Sequence, residues 1–338
     1  ADLKTVPKGL AGITKAHSSV NATPWAFISL AVCMMAGTAS LPHVMMRYFT
    51  TPSVKSARRS VGWSLFFIFL LYSSAPMLAT LSKLSLMDPN LTTGIIGKSI
   101  SEVQNIDWYQ NWNQANLMFI SDFNGNGTLE LNEFFMGGKA VVLATPEIAG
   151  LPYVISGLVA AGGMAAAMST ADGLVLAIAN ALSHDLYYKI IDPKADTAKR
   201  LIVARVLLVI IGFAGATIAA MEIQGILGSV IWAFDFAMSG LFFPLVLGVW
   251  WKRANSQGAV AGMLLGLISG TAYLIWVRNG GSGFWGVTQL TFGIVGSLVS
   301  LVSMVVVSLM TKAPDAATQK MVDEVRIPSG RTVLGKQH

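Results

Sequence analysis

The stretch from Asp122 to Glu133, "DFNGNGTLELNE", sets side-chain oxygens at alternating positions along a short polar run. It reads D-x-N-x-N-G-T-L-E-x-x-E, which fits the calcium loop of an EF-hand. Asp122, Asn124, Asn126, the Thr128 carbonyl, Glu130 and Glu133 offer hard oxygens in the order such a loop uses them. Gly127 stands where the chain must turn sharply, and Leu129 where an apolar side chain points inward. The set holds three carboxylates and two amides, which predicts weak affinity for Ca2+, and there is one such loop where cytosolic sensors pair two. Two readings stand: a structural calcium clip, or an Asn/Gly-rich turn that binds nothing.

A second stretch, "GLVAAGGMAAAMSTADGLVLAIANALSHDLYYK", carries chemistry of another kind. On a helix Ala166, Ser169 and Thr170 share one face. Two hydroxyls and a freed backbone carbonyl are the ligands that a bare alkali cation needs in place of water. The same residues also suit a packing role, because Ser and Thr in membrane helices bond back to a preceding carbonyl and small side chains admit close neighbours. Asp172 follows two residues later. Enzyme chemistry has little to stand on: His17, His43, His184 and His338 are scattered without ligand spacing, and no activated nucleophile or metal cluster is visible, so the chain reads as a non-enzyme.

These groups need elements to hold them, and composition says which. The 338 residues are 54% hydrophobic and 12% charged, with mean hydropathy +0.61. Soluble domains carry about 25% charged residues, so most of this surface must face lipid. Cys33 is the single cysteine, which excludes an intramolecular disulfide. The net charge of +6 comes from basic residues in short loops, and no basic run interleaves with aromatics as nucleic-acid binding would require.

A span needs roughly 20 mostly apolar residues to cross ~30 Å of hydrocarbon. Seven segments qualify, at about 25–48, 61–82, 151–180, 201–221, 225–250, 257–277 and 284–311. They must be helices, because backbone groups in lipid are satisfied internally and these segments are too long for barrel strands. Residues 1–24 form an external segment, 83–150 an external loop containing 122–133, and 313–338 a tail. Orientation follows from basic residues in short loops. Arg47, Lys55, Arg58 and Arg59 after the first span fall on one side with Lys189, Lys194, Lys199 and Arg200, with Lys252 and Arg253, and with tail residues Lys320, Arg326, Arg331 and Lys336. That side, with the C-terminus, is cytoplasmic; the calcium-like loop faces outward. Lys4, Lys8 and Lys15 on the outer side are a mild violation. The expected location is the plasma or inner membrane, multi-pass.

Three motifs occur in order. "AAAMSTADG" resembles the sodium-site helix of the sodium:solute symporter family, and "SHDLYYK" the cytoplasmic end of that helix. "LFFPLVLGVWWKRANSQGAVAGMLLGLI", residues 241–268, resembles the family's C-terminal signature, with Gly248, Arg253, Gly258, Ala259, Gly262 and Gly266 in step. "GTASLPHVMMRYFTTPSVKSARRS", residues 37–60, is similar to the broken-helix segment of the acetate and monocarboxylate branch, as is "LATPEIAGLP" before the third span.

The resemblance implies an all-α fold of the leucine-transporter type, built from two inverted repeats with substrate and sodium at mid-membrane. Matched helix by helix, the chain corresponds to the second repeat plus two further helices, a C-terminal portion lacking the first repeat, which would not transport without its N-terminal half. The resemblance carries Na+ coordination onto Ala166 through its carbonyl and onto Ser169 and Thr170 through their hydroxyls. Asp172, where many members also have aspartate, joins a second cation site or a proton path. The first span should break around Gly37–Pro42, since freed backbone groups are tolerated at membrane depth where they line a cavity. A half-helix N-terminus there suits a carboxylate, so Thr38, Ser40 and His43 are substrate candidates. Trp232 and Phe236 form either a gate or ordinary core. Asp235 is less typical of the family and has no assigned partner. The expectation is a sodium-coupled symporter of small organic acid anions, acetate-like, working by alternating access. The rival is a calcium-responsive receptor using the outer loop, for which the tail 313–338 offers a poor output domain.

Overall fold

The structure, a computed structural model, describes residues 23–88, 90–221, 223 and 225–326. The expected external segment therefore lies, apart from Thr23 and Pro24, outside the described residues, as does the tail beyond Arg326 with Arg331 and Lys336.

The first apolar segment is not one helix. Helix α1 (Pro24–Ser40) is capped by the Thr23 hydroxyl, which accepts from the Ala26 N–H, and it ends at Leu41 in extended geometry (φ −70°, ψ 119°). Pro42 has no N–H to continue the ladder, and its ring pushes the preceding residue out of the helical region. A five-residue helix α2 (Pro42–Met46) and a 3-10 turn (Arg47–Thr50) follow. The break falls within the expected stretch. It is also why six helices, rather than the expected seven, are long and apolar enough to span among the described residues.

The others run as follows. Helix α3 (Val54–Met87) extends beyond its expected span at both ends. The connection that follows, expected on the outer side, contains α4 (Ile100–Gln104), α5 (Asp107–Gln114), strands β1 (Met118–Ile120) and β2 (Phe134–Met136), and α6 (Val141–Ile148). Helix α7 (Tyr153–Asn180) continues as a π-helical segment (Ala181–Ile191), then come α8 (Thr197–Ala220) and α9 (Ile226–Ala237). A π-helical segment (Met238–Phe242) leads from α9 into α10 (Phe243–Trp250). Last are α11 (Ser256–Arg278), α12 (Gly293–Met310) and α13 (Ala316–Val325). The final span begins at Gly293 instead of residue 284. Residues 284–292 hold a 3-10 turn and a loop, with Gly286 at φ +74° and the Thr291 hydroxyl accepting from the Thr288 N–H. Apolar composition makes this segment look helical, while the positive φ open to its glycine and the hydroxyls of its threonines favour turns. The protein is an all-α, multi-pass membrane protein, and the sheet among the described residues is a single antiparallel pair.

The chain divides into two compact units, one holding residues 59–170 and the other residues 23–58 and 171–326 of the described chain. The first unit owns a core in the outer connection. Leu86, Ile95, Val103, Tyr109, Met118, Leu129 and Ala144 are buried together there. Met118 pairs with Met136 and Phe119 with Phe135 across the strands, the two rings stacking at 4.6 Å. Complete burial of Leu129 stabilises this core by about 1.5–3 kcal/mol. A long connection with its own apolar centre is a folded element, which is why it is ordered despite its length.

In the second unit α11 and α12 pack along a seam of small residues. Gly258, Gly262, Gly266 and Gly270 recur every fourth position and are all buried. A Cβ on Gly262 would stand 3.0 Å from Met304 and one on Gly270 2.8 Å from the Ser239 hydroxyl. Lipid offers no hydrophobic drive between helices, so close backbone approach over small residues is what joins them. Helix α13 packs against α10, and its Asp323 meets Lys252, just past the end of α10, and its own C-cap Arg326, each at 2.7 Å; Lys252 holds the Asp323 carboxyl below the usual carboxylate range.

Candidate functional site

Helix α7 carries the proposed cation ligands. Ala166, Ser169 and Thr170 share one side of it by the helical period, and all three are exposed, as is every residue from 160 to 172. The Thr170 hydroxyl donates to the Ala166 carbonyl at 3.3 Å, a long back-bond whose two oxygens are the ones a cation would recruit. Asp172, also exposed, stands further along the same helix.

The broken segment carries the proposed substrate residues. Thr38 donates to the Met34 carbonyl at 2.6 Å, and Ser40, wholly buried, donates to the Ala36 and Gly37 carbonyls at 2.9 and 3.0 Å. Both hydroxyls are therefore folded onto their own helix, and Ser40 covers the Gly37 carbonyl, whose regular partner, the Leu41 N–H, turns to Thr38 at the break. Past the break the Val44 and Met45 N–H groups donate to the Leu41 carbonyl at 3.2 and 3.3 Å. His43 turns a buried Nδ1 that has no hydrogen-bond partner. A Cβ placed on Gly173 of α7 would stand 3.8 Å from His43 and 3.4 Å from the Arg47 guanidinium. The structure thus brings His43 and Arg47 together at Gly173. Arg47 stands four residues after His43, one helical turn, and that spacing is the signal in the sequence for their meeting. A cavity of about 700 Å³ opens beside α2, lined by Pro42, Met46, Asn180, His184 and Asp185 among others.

Trp232 and Phe236 sit one turn apart on α9, and both pack on the buried group of Tyr273, Leu274, Val287 and Phe292. The Trp232 indole donates to the Gln289 carbonyl at 2.9 Å and lies under Arg278, whose guanidinium is 5.2 Å from the ring centre. Phe236 meets Phe292 edge to face at 4.9 Å. These contacts pack the two aromatics against α11 and the start of α12.

The outer loop is wound as a calcium loop is wound. Gly125 and Gly127 have φ of +70° and +69°. The Asp122 carboxylate accepts from the Gly125 and Gly127 N–H groups at 2.7 and 3.1 Å, Asn124 from Asn126 at 2.9 Å, and Asn126 from Thr128 at 2.7 Å. Glu133 is completely buried, its oxygens accepting from the Phe123 and Glu130 N–H groups at 3.0 Å each. Two strands flank the loop, where an EF-hand has helices. The residues fit a hard cation in their oxygen types and in the winding. Their convergence is incomplete: the Asn124 and Asn126 amides donate to Glu130 at 3.0 Å, and among the described residues no three Asp, Glu, His or Cys side chains gather as a metal centre.

Residues 139–266 match the sequence model of the sodium:solute symporter family. An uncharacterized symporter of Cupriavidus necator is 40% identical over 310 residues, covering 89% of this chain and 44% of that protein. A monocarboxylic acid transporter of Corynebacterium glutamicum is 27% identical over 245 residues, covering 72% of this chain and 37% of that protein. The chain thus spans less than half the length of these curated relatives.

Proposed function

We propose, on the premise that the chain belongs to the sodium:solute symporter family, that it works in a sodium-coupled symporter of small organic acid anions such as acetate. The observation that carries this is the α7 face, where the Ser169 and Thr170 hydroxyls stand with the Ala166 carbonyl on a membrane-length helix. The Ala166 carbonyl and the Ser169 and Thr170 hydroxyls bind sodium, and Asp172 contributes to a second cation site. The break at Leu41–Pro42 supports a substrate site, with Thr38, Ser40 and His43 beside it and Arg47 adding a cationic partner for a carboxylate. The named activity of the Corynebacterium relative supports the monocarboxylate class. The pattern of basic loops supports a cytoplasmic C-terminus.

Sodium bound on α7 favours the outward-open state and raises substrate affinity, and by linkage substrate tightens sodium binding. Acetate uptake into proteoliposomes holding the full-length protein tests this. An inward sodium gradient should speed uptake about tenfold over an equal potassium gradient. Uptake indifferent to the cation would sink the sodium assignment, and none under either gradient would discard acetate.

The winding of the outer loop supports a calcium clip on Asp122, Asn124, Asn126, the Thr128 carbonyl, Glu130 and Glu133. Calorimetric titration of the full-length protein should give a Kd of about 10⁻⁴–10⁻³ M, as for extracellular modules, weakened in Glu133→Gln. No heat of binding up to millimolar calcium removes the clip.

A further inference from the structure

Asp235 on α9 is completely buried, and neither carboxyl oxygen makes a hydrogen bond. It stands where three elements meet. The carboxyl lies against the Cys33 thiol of α1 and the Phe292 and Gly293 amides at the start of α12. A Cβ on Gly293 would come within 2.8 Å of its Oδ1. The Cys33 thiol is directed elsewhere, to the Thr291 carbonyl at 3.7 Å. Helix α12 begins without a side-chain cap, so its positive end faces this carboxyl.

An unpaired carboxylate is costly at such a place, and three devices relieve the cost. A basic partner is one, but none of the ion pairs among the described residues includes Asp235. The titratable groups on the packed elements are Cys33 on α1, and Tyr273 and Arg278 on α11. Tyr273 donates to the Val287 carbonyl, and Arg278 lies over Trp232. Helix α12, α10 and the segment Met238–Phe242 have none. A metal cation is the second device. The neighbours are a thiol, two N–H groups and a helix N-terminus, which are soft, electron-poor or positive and oppose a hard cation. A proton is the third, and it needs one oxygen and no further ligands. When it leaves, the α12 amides receive the charge.

We propose that Asp235 is a proton-binding site, and that its occupancy is coupled to substrate binding at the break between α1 and α2. The coupling path is short. Gly37 of α1 packs on Phe234, the residue before Asp235, and a Cβ there would stand 2.5 Å from the Phe234 carbonyl. A shift of α9 against the α12 terminus as the proton comes or goes therefore reaches α1 one residue from Thr38. The proton passes between water and the carboxylate, and no other bond changes. The second half of this proposal rests on the transport reading above, whereas the first half stands without it.

Infrared spectroscopy of the full-length protein in lipid tests the site directly. A protonated-carboxyl C=O band, shifted in D2O, should be present at neutral pH, absent in Asp235→Asn and present at a changed frequency in Asp235→Glu. Acetate uptake from mildly acidic to mildly alkaline pH, where acetate stays an anion, should show KM rising about tenfold in the wild type. KM should stay flat in Asp235→Asn and keep its rise in Cys33→Ala. A wild type without the band, a band surviving in Asp235→Asn, or an unchanged KM profile in that variant overturns the proposal. If Asp235→Asn fails to fold, Asp235→Glu decides: a shifted band supports the site and an unmoved one overturns it. Should no protein take up acetate, the transport reading fails while the band still decides the proton site.

Discussion

Changing Ser169 and Thr170 together to alanine in the full-length protein should abolish sodium-driven uptake of the organic acid at ordinary sodium concentrations. Each hydroxyl given to a charged partner contributes about 1.5–3 kcal/mol, so losing two weakens sodium binding about a hundredfold or more. Either single change should fall between. The fold should not suffer, because both residues are exposed on α7 and the Thr170 back-bond to the Ala166 carbonyl is long at 3.3 Å. Thermal unfolding without sodium should therefore match the wild type, while the stabilisation that sodium adds to the wild type disappears. A double variant with an unchanged half-saturating sodium concentration would place the cation elsewhere.

The second large effect is structural. Gly266→Leu should remove most of the folded protein from the membrane. A Cβ on Gly266 runs into the Ser239 carbonyl and stands 2.8 Å from the Ser300 side chain. Backbone cannot yield there as a flexible side chain would, so α11 must separate from α12 and from the segment Met238–Phe242. Overpacking of this kind costs about 1–3 kcal/mol even where neighbours adjust. Gly212→Ala on α8, where nothing lies within 4 Å, is the matched control and should be neutral or slightly stabilising. Fluorescence-detected size exclusion during heating reads both. A Gly266→Leu protein unfolding at the wild-type temperature would show that the seam is not what joins the helices.

Much of the fold was legible in the sequence because membrane helices are specified locally. Hydropathy over a span reports a requirement that each segment meets alone, and a proline reports its own missing N–H. The long helices and the break at Leu41–Pro42 follow from those facts. The shared face of Ala166, Ser169 and Thr170 likewise needs only the helical period, and the winding of residues 122–133 needs only its glycines and Asx side chains.

Where a residue's meaning depends on distant chain, spacing was silent. Residues 284–292 have the hydropathy of a span, yet the Tyr273 hydroxyl, which donates to the Val287 carbonyl, and the Trp232 indole, which donates to that of Gln289, hold them as a loop. The packing of Trp232 and Phe236 against Tyr273 and Phe292 is likewise invisible in their spacing. Leu129 was marked as inward-pointing, but the core that receives it is assembled from several separate segments of the outer connection. Asp235 was visible as an acid at membrane depth, while its lack of a partner is a property of α1, α9 and α12 packed together. Periodicity encodes which way a side chain faces along its own helix; what it meets there is decided by contacts between segments far apart in the chain, and those exist only once the tertiary structure has formed.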